Sequence, residues 1–299
     1  MILEYVVKQE DINKTINKIL EERFELSNRL FSKLIKNKRI YINGESIDTR
    51  VKPYLNDKII VDLNYNEDNS NIISKKIDLD IIYEDDGMLI INKPAGFAVH
   101  PSMRHFDNSI ANGVKYYFET KGINKKIRPV NRLDIDTSGL IIFAKNEYIQ
   151  ENLIKQMKTR NFTKEYIAAA LGIFEKKKGK IDVPIARKEG SIIERCVRED
   201  GQKAVTEYEV IREIGNSSLI KCKLLTGRTH QIRVHMSYIG HPLLGDSLYG
   251  EKSNFIDGQA LHCYKLKFLH PISREKVEIM SNSNIEQKFE KLLENLLTN

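Results

Sequence analysis

Two amphipathic helices are predicted near the start of the chain. Apolar side chains recur at helical spacing in residues 11–22, and we expect Asp11 to cap this helix. A second helix is predicted to begin after Ser27, and its buried face comprises Leu30, Phe31, Leu34 and Ile35. The remaining positions of this second helix are largely basic, so one side packs on a core while the other carries positive charge.

A β-hairpin and a further strand follow these helices. Short alternating runs flank Asn43-Gly44, and Asn-Gly favours the tight turn that joins two antiparallel strands. Residues 51–61 predict a turn and another strand. Residues 64–71 are polar, turn-prone and almost free of apolar side chains, which is typical of a linker. The sequence therefore predicts a small α/β domain over residues 1–66 and a linker over 67–76.

From residue 77 onwards the chain is rich in short apolar runs that predict strands. The predicted strands include 88–91, 140–144, 162–172, 201–210 and 218–225. Helices are predicted at 108–121 and 147–160. A terminal amphipathic helix carries Phe289, Leu292, Leu293, Leu296 and Leu297. Many strands with a few helices between them predict an α+β domain over residues 77–299.

Composition narrows the class of protein and of partner. The 299 residues are 41% hydrophobic and 30% charged, which is ordinary for a globular protein with a buried core. The net charge of +7 favours an acidic partner, and nucleic acid is the commonest one. The charge comes in blocks, since residues 121–133 hold five basic side chains and no acid, and residues 219–245 also lack an acid.

Cysteine spacing and apolar run length exclude other classes. The three cysteines are far apart, which argues against a disulfide framework and against a cysteine zinc site. We find neither the apolar core of a signal peptide nor an apolar run long enough to span a membrane, so we expect a cytoplasmic protein.

A polar turn at residues 131–139 leads directly into the predicted core strand at 140–144. It places the carboxylate of Asp134 between two apolar residues. Arg132 lies two positions earlier, so in an extended segment both side chains leave on the same face. On composition alone, a single aspartate in a loop is most often a turn-former or a helix cap. The alternative is that this rigidly anchored turn carries chemistry.

Four segments resemble the motifs of the RluA-type RNA pseudouridine synthases, and they occur in the family's order. Arg132-Leu-Asp-Ile-Asp-Thr-Ser-Gly-Leu140 is similar to R-L-D-x-x-T-S-G, and Lys93-Pro-Ala-Gly-Phe-Ala-Val-His-Pro101 to K-P-x-G-x-x-V-H-P. Phe162-Thr-Lys-Glu-Tyr166 has the K-x-Y pattern of the second active-site segment, and Gly227-Arg-Thr-His-Gln-Ile-Arg-Val-His235 matches G-R-T-H-Q-I-R-V-H. One departure is Asn131, where histidine often precedes R-L-D.

The resemblance implies a fold, a reaction and a set of site residues. The fold is a mixed, mostly antiparallel sheet flanked by helices. The reaction breaks the bond from ribose C1′ to uracil N1, rotates the base and joins C1′ to C5, without a cofactor or a metal. It implies that Asp134 is the catalytic carboxylate and that Arg233 is the cation beside it. It also implies that Tyr166 lies against the uracil face and places its hydroxyl near C5, where a proton must leave. Whether Asp134 attacks C1′, adds to C6 or removes a C2′ proton stays open.

The resemblance also implies where RNA binds. Arg132 and Arg228 are suited to a phosphate or to the space that the extruded base leaves. The basic helix, the hairpin and the following strand resemble an S4-type RNA-binding domain. Its predicted RNA-binding residues are Arg29, Lys33, Lys36, Lys38 and Arg39. The alternative is that this helix face is only solvated.

Several alternatives remain to be weighed against an RNA pseudouridine synthase. Ribosomal RNA of the large subunit is the favoured substrate and tRNA the alternative, and a non-catalytic RNA-binding or ribosome-assembly factor is the rival from another class. A carboxylate pair of Asp134 with Asp136 is rejected, since no second acid stands near Arg233 in the sequence. A zinc site at His230 and His235 is not expected from their spacing. We expect a monomer.

Overall fold

The computed structural model describes residues 1–48, 51–103, 105–159, 161–281 and 284–296. Its helices are α1 (Ile16–Phe24), α2 (Asn28–Lys36), α3 (Ile110–Thr120), α4 (Glu147–Met157), α5 (Gln231–Tyr238) and α6 (Ile285–Asn295). Its first eight strands are β1 (Ile2–Val6), β2 (Ile40–Ile42), β3 (Glu45–Ser46), β4 (Lys58–Asp62), β5 (Ile81–Glu84), β6 (Met88–Lys93), β7 (Arg128–Pro129) and β8 (Ser138–Ala144). The others are β9 (Thr163–Leu171), β10 (Lys178–Asp182), β11 (Ile185–Arg187), β12 (Arg195–Val197), β13 (Val205–Ile214), β14 (Ser217–Leu224), β15 (Leu261–Leu269) and β16 (Lys276–Met280). None of the helices in these ranges has both the length and the apolar character to cross a membrane.

The described part of residues 1–66, which we call the N-terminal module, forms a small antiparallel sheet with two helices. The strand order is β1-β4-β2-β3, and the predicted hairpin is present as β2 and β3. Helix α2 begins where the sequence indicates, because the Ser27 hydroxyl accepts the Leu30 N–H and caps the helix. All four apolar residues of its predicted buried face are buried.

The expected cap at Asp11 is wrong. Helix α1 begins five residues later, and its N-cap is Thr15, whose hydroxyl accepts the Lys18 N–H at 3.4 Å. Asp11 is instead fully buried and pairs with Arg23 at 2.8 Å, while the Tyr5 hydroxyl donates to it. A buried, fully bonded carboxylate and a capping carboxylate look alike in sequence, since both precede a helix.

The second sheet has ten strands, and its path runs β10-β13-β14-β9-β15-β8-β6-β5. Strands β16 and β7 pair with β15 and β8 off this path. Among the described strands, the one parallel pair is β8 with β15, so the sheet is mixed and mostly antiparallel, as predicted. A separate hairpin, β11 with β12, stands beside this sheet.

Helices cover both faces of the large sheet. On one face, α3 packs over Leu89 and Ile141, and α6 packs over Ile167 and Ala169. The opposite face carries α4 and α5, whose apolar side chains join one core with the alternate residues of β6, β8 and β9. Because successive strand residues face opposite ways, Tyr166 projects from β9 toward the α4 and α5 side.

Helix α5 and the arm β11–β12 were not predicted. The eight residues of α5 mix polar and β-branched side chains and give no clear helical period. The terminal helix is confirmed as α6, with Leu293 buried, while Leu297 lies outside the described residues. The helix predicted at 147–160 ends at Met157, and Arg160 is outside the described part of the chain.

The segment that joins the N-terminal module to the large sheet has no helix or strand but is tightly held. Arg128 donates two hydrogen bonds, of 2.7 and 2.5 Å, to Glu67, and both side chains are more than nine-tenths buried. Lys125 donates to the carbonyl groups of Leu63 and Tyr65. Lys125 and Arg128, two of the basic residues in 121–133, therefore hold this segment in place through hydrogen bonds.

Candidate active site

The turn that carries Asp134 is anchored at several points. The Asn131 side chain donates to the Leu140 carbonyl at 3.0 Å and accepts the Ile142 N–H at 2.9 Å, which ties the start of the turn to β8. The Thr137 hydroxyl accepts a hydrogen bond from Gln259. Asn131, the residue that departs from the family pattern, is thus committed to holding the turn, so its amide has a structural task in this chain.

Gly139 ends the turn and allows a close approach of two backbones. Its φ is +115°, and a Cβ there would lie 2.3 Å from the Cys263 carbonyl oxygen of β15. Both facts require glycine, because an L side chain rarely adopts this conformation and no space exists for it. The parallel pairing of β8 with β15 therefore depends on this residue.

Tyr166 and the Asp134 turn lie on either side of β15. Tyr166 pairs in register with Cys263, and Cys263 pairs with Gly139 on its other side. Two strand spacings of about 4.8 Å each separate Tyr166 from the end of the turn. Burial, followed by the neighbouring Cys263 thiol and the Asp134 charge, raises the pKa of Tyr166 well above its ordinary value. Its hydroxyl is protonated at neutral pH and acts as a donor.

Arg233 reaches Asp134 from helix α5. Its Nη1 lies 3.3 Å from Asp134 Oδ2, so the structure brings these two predicted residues together. Its Nε and Nη2 each lie 2.7 Å from the Asp246 carboxylate. Burial opposes the charge on Arg233, but the hydrogen bonds and charge of Asp246, with a smaller contribution from Asp134, raise its pKa.

No second acid stands near Arg233 in the sequence, but the fold places one beside it. Asp246 follows Arg233 by 13 positions, is fully buried and binds it more closely than Asp134 does. It belongs to the string Gly245-Asp-Ser-Leu-Tyr-Gly250, to which the sequence analysis gave no role. The feature of the sequence that could have indicated a role for this string is an acid and a tyrosine between two glycines.

His230 is a second neighbour of Asp134. It precedes α5 with a φ of +57°, and its Nε2 lies 3.9 Å from Asp134 Oδ2. Burial lowers the pKa of His230, although the charge of Asp134 opposes this shift. The ring is therefore neutral at pH 7.

These residues line one cavity of about 650 Å³, which we call the Asp134 cleft. Tyr166, Arg233, Asn131 and His230 lie on its wall with Asp134. Its basic lining residues are Arg132, Lys164, Arg195, Arg228 and Arg233. Among the described lining residues, Asp134 is the single carboxylate. Asp136 does not line the cleft and packs against Gly258, which agrees with its rejection as a partner of Asp134.

Lys93 lies beneath the turn, fully buried. Its ammonium group donates to the carbonyl oxygens of Pro94, Phe97 and Ile135 at 2.7 to 2.9 Å. Desolvation lowers the pKa of Lys93 to about 8, although Asp136 and Asp134 oppose this shift. The bond to Ile135 fixes the residue next to Asp134, so Lys93 has a structural role.

Burial of Lys93 predicts a pH dependence of stability. Between pH 8 and 10.5 the unfolded chain keeps the Lys93 proton while the folded chain has released it, so the free energy of unfolding rises with pH. We expect wild type to gain up to about 3 kcal/mol over this range relative to Lys93→Met. Urea unfolding at each pH measures it. Lys180→Met, at an exposed lysine, controls for the loss of one charge, and equal slopes for wild type and Lys93→Met would contradict the prediction.

A second cavity of about 430 Å³ adjoins the first, and we call it the arginine cleft. Its arginines are Arg132, Arg187, Arg195 and Arg228. Arg228 donates to the Lys203 carbonyl and to the Gln202 side chain, and Arg195 donates to two backbone carbonyls. Within the described residues these four arginines form no ion pair. The acids beside them have other partners, since Glu194 pairs with Lys188 and Asp200 pairs with Arg198. The arm β11–β12, which the sequence analysis missed, supplies Arg187 and Arg195.

The basic residues of the N-terminal module have a different environment. Arg29 pairs with Glu147 at 2.6 Å and Glu151 at 2.7 Å, both on α4, and Lys33 pairs with Glu147 at 2.6 Å. Arg39 pairs with Asp62 of its own module at 2.7 Å. The two exposed lysines that complete the predicted set, Lys36 and Lys38, form no ion pair within the described residues. RNA contact at these five residues stays a prediction.

The buried histidines of the motifs act as hydrogen-bonding residues. His235 bonds to the Thr206 hydroxyl and the Val183 carbonyl, on the far side of α5 from His230. His262 bridges Ser138 and Ser281, and burial lowers its pKa to about 4. Both side chains are occupied by protein partners.

The known proteins that this chain resembles in sequence and in structure are RNA pseudouridine synthases. Residues 87–238 match the family model described as RNA pseudouridylate synthase. The chain is 37% identical over 277 residues to the uncharacterized RNA pseudouridine synthase YhcT of Bacillus subtilis, covering 92% of this chain and 91% of that protein. It is 34% identical over 294 residues to ribosomal large subunit pseudouridine synthase D of Vibrio parahaemolyticus, covering 93% and 90%. The solved structure of human RNA pseudouridylate synthase domain containing 1 superposes with a TM-score of 0.58 at 26% identity, covering 69% of this chain and 84% of that one.

Proposed function

The chain belongs to the RNA pseudouridylate synthase family, and from that membership we propose that Asp134 is the carboxylate with which it isomerises uridine to pseudouridine in RNA. The observation that carries the proposal is the position of Asp134 as the single carboxylate on the described wall of a basic cleft. The basic side chains around Asp134 also suit this cleft to a nucleic acid. An ionised carboxylate is what each version of the reaction requires.

Arg233 and Tyr166 have separate roles in this proposal. Arg233 supports the negative charge of Asp134 through its Nη1, at 3.3 Å. Tyr166, on the wall of the cleft, supplies an aromatic ring to support the detached uracil. Because the raised pKa of Tyr166 disfavours the phenolate, we assign its ring the support of the base rather than removal of the C5 proton.

RNA is proposed to lie across both clefts. Arg132 and Arg228 belong to the two cavities, and their charges are not neutralised by a carboxylate within the described residues. A uridine inside folded RNA must be extruded, which costs a few kcal/mol. Contacts between these arginines and the RNA backbone offset part of that cost. We also propose that the N-terminal module is an S4-like RNA-binding domain, as its order of helices, hairpin and strand suggests.

Ribosomal RNA of the large subunit is the proposed substrate, in keeping with the name of the relative from Vibrio parahaemolyticus. Mapping of pseudouridine in total RNA tests it. RNA from cells that lack the protein is compared with RNA from cells restored with wild type. A ribosomal uridine that loses and regains its modification supports the proposal. A change confined to tRNA would redirect the substrate, and no change in any RNA would favour the non-catalytic RNA-binding factor.

The pairing state of the arginines predicts which of them contact phosphate. For Arg228→Gln we expect the slope of log affinity against log salt to fall by roughly 0.7 to 0.9, the value for one lost phosphate contact. For Arg29→Gln we expect an unchanged slope, because Glu147 and Glu151 already neutralise that guanidinium. Titration of labelled ribosomal RNA between about 50 and 200 mM salt measures both. A lower slope for Arg29→Gln alone would place RNA on helix α2 instead.

A further inference from the structure

Arg233 divides its guanidinium unequally between two carboxylates. The edge formed by Nε and Nη2 makes two bonds of 2.7 Å to Asp246. The remaining Nη1 approaches Asp134 end-on at 3.3 Å and touches Oδ2 alone. A guanidinium prefers to bind a carboxylate through two parallel hydrogen bonds. In this structure Asp246, not Asp134, occupies that preferred geometry.

Asp246 holds Arg233 in place and does not line the Asp134 cleft. It is fully buried, is not part of the wall of the Asp134 cleft, and accepts the backbone N–H groups of Leu248 and Tyr249 in addition to Arg233. Its position is therefore fixed by its own loop. Any effect of Asp246 on a bound uridine has to act through Arg233.

Tyr249 supports the same pair from a second direction. Its ring lies 5.1 Å from the Arg233 guanidinium carbon. Its hydroxyl accepts the Arg195 N–H at 2.8 Å and lies 2.8 Å from His230 Nδ1. When the Tyr249 hydroxyl donates to Nδ1, neutral His230 carries its proton on Nε2, the atom that lies 3.9 Å from Asp134 Oδ2.

Two of these residues, Arg233 and His230, approach Asp134 on the same oxygen. Both Arg233 Nη1 and His230 Nε2 approach Oδ2, whereas Oδ1 makes no hydrogen bond within the described residues. We propose that Asp246 and Tyr249 are positioning residues that hold Arg233 and His230 on Oδ2 and so leave Oδ1 of Asp134 free to react. Without Asp246, the fork of Arg233 turns to Asp134 and occupies both of its oxygens. The inference rests on the proposed role of Asp134.

The test is the rate of a single turnover, measured against pH, for Asp246→Asn. The substrate is large-subunit ribosomal RNA from cells that lack the protein, and the rate is read as release of tritium from uridine C5. We expect the plateau rate to fall about 10- to 100-fold, the range found for residues that orient the ligands of a metal ion, with little change in RNA affinity. On the acid side of the pH profile, which we call the acid limb, the fall in rate moves to lower pH. The reason is that Arg233 now holds the Asp134 carboxylate ionised with two bonds.

The direction of that shift separates the proposal from a merely structural role. If loss of Asp246 only disordered Arg233, Asp134 would lose support and the acid limb would move to higher pH. Either that shift or an unchanged profile overturns the proposal. Several charged or titratable groups surround Asp134 besides Asp246, and all of them are retained in the variant. Lys93 lies beneath the turn, and the others line the cleft: His100, Arg132, Lys164, Tyr166, Arg195, Arg228, His230 and Arg233.

A double-mutant cycle keeps the inference testable. If Asp246 acts through Arg233, then Asp246→Asn added to Arg233→Lys changes the rate little, whereas independent effects multiply. If Asp246→Asn does not fold, as judged by thermal unfolding, Tyr249→Phe replaces it in the same cycle, with a smaller expected loss. Multiplying effects in this cycle overturn the inference. The proposed function fails separately, through an Asp134→Asn variant that keeps full activity.

Discussion

Replacement of Asp134 by Asn is expected to abolish pseudouridine formation, with a loss of at least about 10⁴-fold in the single-turnover rate. An amide has nearly the same shape and can still accept a hydrogen bond from Arg233, but it carries no charge and can neither attack carbon nor take a proton. We therefore expect the fold and the RNA affinity to be retained. Tritium release from uridine C5 measures the rate, since the C5 proton leaves in the reaction.

Asp136→Asn is the matched control for this experiment. Asp136 lies two residues further along the same turn, does not line the Asp134 cleft and packs against Gly258. Its amide variant loses the same charge from the same turn, so we expect a rate close to wild type. A near-wild-type rate for Asp134→Asn, or an equal loss for both variants, would remove the special role of Asp134.

Gly139→Ala is expected to lower the free energy of unfolding by about 3 to 5 kcal/mol. Strain at a φ of +115° contributes about 1 to 3 kcal/mol, and the contact of the new Cβ with the Cys263 carbonyl, at 2.3 Å before relaxation, contributes a similar amount. The strand pair that separates Asp134 from Tyr166 must open to admit the methyl group, so activity falls as well. Urea unfolding measures the stability.

Gly122→Ala separates the two sources of this loss. Gly122 also has a positive φ, +67°, but a Cβ there has no atom within 4 Å. We expect a loss of about 1 to 2 kcal/mol from backbone strain alone and unchanged activity. If the two variants lose the same stability, the close approach of β8 to β15 is not the reason that Gly139 is needed.

Local sequence patterns located the elements around the site. Alternating and continuous apolar runs indicated β8 and β9, and the motif order indicated that Asp134, Tyr166 and Arg233 belong to one site. The structure brings all three to one cleft. Because the three residues are far apart in the chain, their convergence was predicted from the family resemblance and not from periodicity. Their catalytic roles remain to be tested as described above.

Long-range pairing could not be read from the sequence. The basic face of α2 indicated a free RNA-binding surface, yet Arg29 and Lys33 meet acids of α4, more than 110 positions away. Asp246 was missed for the same reason, because burial turns an ordinary aspartate into the principal partner of Arg233. Local patterns describe a residue's own element, whereas charge pairing is decided by which elements the fold brings together.

The insertion of β15 between β9 and β8 also affects how the protein folds during synthesis. Ser138 and His262, which meet across β8 and β15, are 124 positions apart. A ribosome that adds roughly 5 to 20 residues per second leaves β8 and β9 without their common neighbour for several seconds. Such exposed strand edges favour aggregation and slow folding. The growing chain therefore cannot form the Asp134 cleft until residues 261–269 have emerged, and until then a chaperone that covers apolar strand edges has a defined target.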